Sequence, residues 1–138
     1  MIRTVLRFLL MRAHRSKVPT ALVPLERVRS VVIYRDPKEP VCEREFHKYF
    51  DPLGIEVRII SEFDRNVRTS SDLFISTASA SCVSERYAAL SSTALFKVGR
   101  RQLRPDVYDL VVTDPDPENP VPQPVAFAQI CQILDRIR

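Results

Sequence analysis

Two groups of residues in this chain have the types and spacing for chemistry. The first is cationic. Arg3, Arg7, Arg12, Arg15 and Lys17 fall in the first 17 residues, which contain no acid, and Lys97, Arg100, Arg101 and Arg104 cluster again around residue 100. Guanidinium forks match phosphate oxygens in geometry, so both groups are candidate polyanion contacts. The structural alternative is a solvated helix face in the first group and, in the second, a basic turn balancing Asp106 and Asp109. The second group of residues is hydroxylic. Ser79, Ser81 and Ser84 lie in and just after Thr77-Ala-Ser-Ala-Ser81, a loop of small residues that leads into a helical stretch. Backbone N–H groups at such a start attract anions, and the serines add donors. Equally, serines at that position simply cap the helix.

Other combinations are weaker. Asp114, Asp116 and Glu118 alternate with prolines, which gives oxygen ligands for Mg²⁺ or, more simply, a stiff acidic loop. His14 and His47 stand alone. Cys42, Cys82 and Cys131 are odd in number and form no C-x-x-C, so neither a zinc cage nor a thioredoxin motif is indicated; three reduced thiols in a cytoplasmic protein are expected. Cys82 lies near a helix start, which can lower a thiol pKa, but has no histidine beside it in sequence. With two glycines against eleven prolines, neither G-x-G-x-x-G nor G-x-x-x-x-G-K-[ST] occurs. No cofactor or metal is indicated, and no nucleophile–base arrangement can be argued from spacing.

The elements that would hold these residues follow from hydrophobic period. Ile2, Val5, Leu6, Leu9, Leu10 and Ala13 make one helical stripe, so residues 1–24 read as a basic amphipathic helix and a Pro-containing connector. Arg7 and Arg12 interrupt its apolar run, which argues against a signal peptide. No run approaches the roughly 20 apolar residues needed to span a bilayer. Residues 25–138 read as one α/β domain. Strands are expected at Val28–Tyr34, Ile55–Ile60, Asp72–Ser76, Leu95–Val98 and Tyr108–Thr113. The alternating second strand suggests a sheet edge. Helices are expected at Val41–Phe50, Val83–Ala94 and Val125–Ile137, with long loops at 61–71 and 114–124. The alternation predicts a single open, mainly parallel five-stranded sheet with helices on both faces, preceded by the basic N-terminal helix.

Four stretches together resemble a family of small uncharacterised proteins from the Bacteroidota. They are the basic aromatic-containing start (Met1 to Lys17), Asp72-Leu-Phe-Ile75, Ala94-Leu-Phe-Lys-Val-Gly-Arg100 and Tyr108-Asp-Leu110. Ser76 stands where many members carry Asn. The resemblance implies a domain of unknown function, offers no catalytic motif, and adds weight to a ribosomal partner.

Charge distribution points the same way. The formal net charge is +4; residues 1–40 hold nine Lys/Arg and three Asp/Glu (+6), leaving twelve and fourteen (−2) for residues 41–138. A basic arm on a near-neutral body suits a polyanion. The leading expectation is therefore a non-enzymatic RNA- or ribosome-associated binding protein, with a protein partner compatible with the same helix. A small nucleotide- or sugar-phosphate-binding domain is the second expectation. A peripheral membrane-surface protein is the third.

Overall fold

The computed structural model of the chain describes residues 23–37, 43–61, 71–79, 83–101, 107–116 and 118–137. The helix expected at the N-terminus lies outside them, with Arg3, Arg7, Arg12, Arg15 and Lys17. So do Ser81, Cys42, Cys82, Arg104 and most of the 61–71 loop.

Among the described residues, five short strands and three α-helices alternate as expected. They are β1 (Ser30–Tyr34), α1 (Glu43–Phe50), β2 (Glu56–Ile60), β3 (Leu73–Ser76), α2 (Val83–Ser91), β4 (Phe96–Gly99), β5 (Leu110–Val111) and α3 (Gln123–Arg136). All strand pairs are parallel, in the order β2-β1-β3-β4-β5. This is the flavodoxin-type doubly wound order, in which the direction of winding reverses between β1 and β3.

Period two along the strands builds two cores. Val31 and Ile33 of β1, Leu73 and Ile75 of β3, and Phe96 and Val98 of β4 face one side. There they meet Phe46 and Phe50 of α1 and Phe127, Ile130 and Leu134 of α3. Phe46 and Phe127 join the two helices edge to face, with ring centroids 4.7 Å apart. Val32, Tyr34 and Phe74 face the other side, against Tyr87, Ala88, Ala89 and Leu90 of α2. A strand covered on both faces loses the polar/apolar alternation that marks a half-exposed one, hence the continuous apolar runs of β1 and β3. β2, at the edge, keeps it.

α1 ends where the sequence suggests. A 3-10 turn over Asp51–Leu53 follows, closed by Gly54, which takes φ 72°, a left-handed conformation that glycine adopts without strain, and returns its N–H to Asp51 O at 3.0 Å.

Two aspartates start strands by the same device. Asp72 Oδ2 accepts the N–H of Arg29 at 2.8 Å, and Asp109 Oδ2 accepts the N–H of Lys97 at 2.8 Å. In each case a side chain takes a donor of the adjacent strand. β5 is shorter than the Tyr108–Thr113 expected; just before it the Asp109 carboxylate takes the Lys97 N–H in place of a main-chain acceptor. Main-chain pairing continues past the strand, with Val112 N–H to Gly99 O at 2.9 Å.

Candidate functional site at the carboxyl ends of the strands

In open α/β sheets, ligands sit beyond the carboxyl ends of the strands where the winding reverses. Here that place lies between Tyr34-Arg35-Asp36 and Ser76-Thr77-Ala78-Ser79. It is occupied by a network of buried polar groups.

One half of the network lies towards α3. Gln123, the first residue of that helix, is 0% exposed and crosses the gap between β1 and β3. Its Oε1 accepts the N–H of Asp36 at 2.8 Å and a hydrogen bond from Thr77 Oγ1. Beside it, Arg100 (4% exposed) donates to Thr77 O at 3.0 Å, Val121 O at 3.0 Å and Asp114 Oδ2 at 2.6 Å. Asp114 Oδ2 also accepts Val121 N–H at 3.2 Å, closing the 114–121 loop on itself.

The other half lies towards α2. Glu85 sits in the first turn of α2 and is 1% exposed. Its Oε1 accepts hydrogen bonds from Tyr108 Oη at 2.6 Å and Ser76 Oγ at 2.8 Å. Burial pushes the Glu85 carboxyl above its ordinary range. The hydroxyls of Tyr108 and Ser76 and the charge of Arg101 oppose that push, while Asp36 adds to it. Asp36 and Arg101 are therefore close enough to act on Glu85 electrostatically. Ser79 and Ser84 are half-buried and Arg101 is exposed.

The cationic cluster expected around residue 100 is not one surface. Lys97 is 5% exposed, and its ammonium donates to Ala89 O at 2.8 Å, among the last carbonyls of α2, where a cation also complements the helix dipole. The reason is local: Phe96 and Val98 point to the α1/α3 core, so Lys97 must point to the α2 core. Arg100 is equally internal. Of the four cations, the structure leaves Arg101 exposed, and Arg104 lies outside the described residues.

The acidic loop separates too. Asp114 turns inward to Arg100, whereas Asp116 is exposed, its carboxyl held below the usual range by the Asn119 side chain. Among the described residues no three His, Cys, Asp or Glu come together as metal ligands. His47 is exposed on α1, with Nδ1 3.2 Å from Asp51 Oδ1. It shares a shallow depression with Arg44, Lys48 and Pro52, close to where the chain enters β2 and so at the opposite end of the sheet. Cys131 is a buried free thiol whose pKa is raised by burial and by Asp135.

Asp36 was legible as the carboxyl end of a strand, but Glu85, Gln123 and Tyr108 were not singled out as site residues by sequence reasoning. A signal existed for Glu85: it shares an i, i+3, i+4 face with Ala88 and Ala89, an acid on an otherwise apolar helix face. Gln123 had none, because its helix was expected to begin two residues later.

Compared with known proteins, the chain has no significant match among family models, curated proteins or solved structures. Among the described residues, no helix is long and apolar enough to cross a membrane. What the fold defines is a class, the doubly wound parallel α/β domains, with a polar cluster at the winding reversal.

Proposed function

We propose that this domain binds a small ligand carrying sugar hydroxyls and a phosphate, a nucleotide or sugar phosphate, over the carboxyl ends of β1 and β3. The observation that carries the reading is Glu85: a carboxyl buried at the reversal point, within electrostatic reach of Asp36 and Arg101. Perturbed carboxyls at strand ends are a mark of ligand sites. Asp36, half-buried, is suited to ligand hydroxyls, which a carboxylate accepts, while Glu85, buried beneath, acts through its charge and through the groups it orients. Arg101, the half-buried Ser79 and Ser84, and the start of α2 are suited to a phosphate. Ser81 belongs to the same expected anion site by sequence. A thermal-shift panel of nucleotides and sugar phosphates tests the reading. At least one is expected to raise the melting temperature of the parent chain, and Glu85→Gln or Arg101→Ala should cut that shift by more than half. A panel without effect at about 1 mM, the weak end of specific affinity, overturns it.

A second reading, RNA or a ribosomal assembly bound through the N-terminal segment, is favoured by the acid-free run of five cations in residues 1–17. It predicts cosedimentation with ribosomes or RNA that falls steeply with added salt and is lost when Arg3, Arg7, Arg12 and Arg15 are replaced. Lys97 and Arg100 lend it no support, because their charged groups are engaged inside the fold.

A further inference from the structure

β2 is an edge strand: it pairs with β1 on one side, and among the described residues no strand pairs with its other side. The hydrogen bonds to the β1 segment fix which backbone groups face outward. Glu56 donates its N–H to Arg29 O at 2.9 Å, and Ile60 O accepts from Arg35 N–H at 2.8 Å, so the even-numbered residues are engaged inward. Alternation along the strand then directs the N–H and C=O of Val57 and Ile59 to the open edge. Glu56 and Arg58, both exposed, flank Val57 on one face of the sheet.

Charged side chains on an edge ordinarily guard it against pairing. This pair is self-complementary instead. Set a second copy of β2 antiparallel to the first, with the twofold axis at Val57. Val57 then exchanges both main-chain hydrogen bonds with the partner's Val57. Glu56 lies directly opposite the partner's Arg58, and Arg58 opposite the partner's Glu56. Other registers lose this match. One centred on Ile59 sets Arg58 against the partner's Ile60, and one centred on Arg58 opposes like charges. A twofold interface requires a patch that complements itself, and this five-residue strand has that property in one register.

We infer that the protein forms a homodimer through β2, antiparallel about Val57, so that two five-stranded sheets become one of ten. The interface is independent of the ligand site proposed above. It is tested by sedimentation equilibrium of the full chain with three variants. The parent is expected to dimerise. Glu56→Arg and Arg58→Glu each turn two attractive cross-strand pairs repulsive, and should weaken association roughly tenfold or more. The double variant E56R/R58E restores the pairs with signs exchanged, and should return to within about threefold of the parent. Both positions are exposed, and unchanged circular dichroism of the variants verifies that folding is intact. A parent that stays monomeric at about 1 mM overturns the inference, since weaker association is no specific dimer. So does a dimer that ignores the single reversals, or one that the double exchange fails to restore.

Discussion

Glu85 is the residue at which the fold and the proposed site meet, and its proton is the means of reading it. Burial raises the carboxyl above the ordinary 4.5, so over the window from there up to its native value the folded chain holds a proton that the unfolded chain has released. Stability must therefore fall as pH rises through that window and level off above it. Glu85→Gln keeps an acceptor for Tyr108 and Ser76 and has no proton to lose. Denaturant titrations at a series of pH values should show the falling phase in the parent and its loss in the variant; identical profiles would mean that Glu85 is not the group responsible. The same scale shows what a sequence conceals. Lys97 and Arg100 were legible as charges but not as directions. Lys97 lies between two apolar residues in a strand sheathed on both faces, which leaves its ammonium no route to solvent, and that sheathing is a property of the packed layers rather than of the chain.

At the scale of elements, much was legible because period carries it. The apolar runs of β1 and β3, the alternating edge of β2 and the stripe of α3 located the strands and helices to within a few residues. The strand order was not legible: parallel neighbours are joined by distant segments, and nothing local to β1 says that β2 and β3 flank it. Nor was the reason for two of the motifs, which the packing supplies. Gly99 of F-K-V-G-R lies under the ring of Tyr108 of Y-D-L, where a Cβ would come 2.4 Å from Tyr108 Cε2. The two motifs are thus halves of one contact, and that contact orients the phenol that donates to Glu85. Gly99→Ala should cost about 1–3 kcal/mol by overpacking. Adding Tyr108→Ala should make the combined loss clearly smaller than the sum of the two single losses, because the clash is gone. Urea unfolding of the four proteins measures this, and strict additivity would deny the contact.

For the whole molecule, the decisive link is Arg100. From the end of β4 it holds the main chain after β3 through Thr77 O, the loop after β5 through Asp114, and the entry to α3 through Val121 O. One guanidinium thus bridges the sheet, the loop after β5 and the entry to the last helix; its side chain is 1% exposed, against 8% for its Asp114 partner. A buried pair of this kind need not add net stability over an apolar replacement, since both charges leave water to form it. Breaking it is different. Arg100→Ala leaves the Asp114 carboxylate buried without its cation and deprives two carbonyls of donors, and should cost about 3–5 kcal/mol. Arg100→Met combined with Asp114→Leu removes both charges, and should recover a large part of that loss. Arg101→Ala, next in sequence but exposed, should change stability by no more than about 0.5 kcal/mol. Urea midpoints of the three variants against the parent decide the matter. Near-equal losses at Arg100 and Arg101 would place both arginines on the surface, reopening the reading of residues 97–104 as a polyanion contact. A large loss at Arg100 alone makes this end of the sheet a rigid floor beneath the proposed site, with Glu85 and Asp36 held against it.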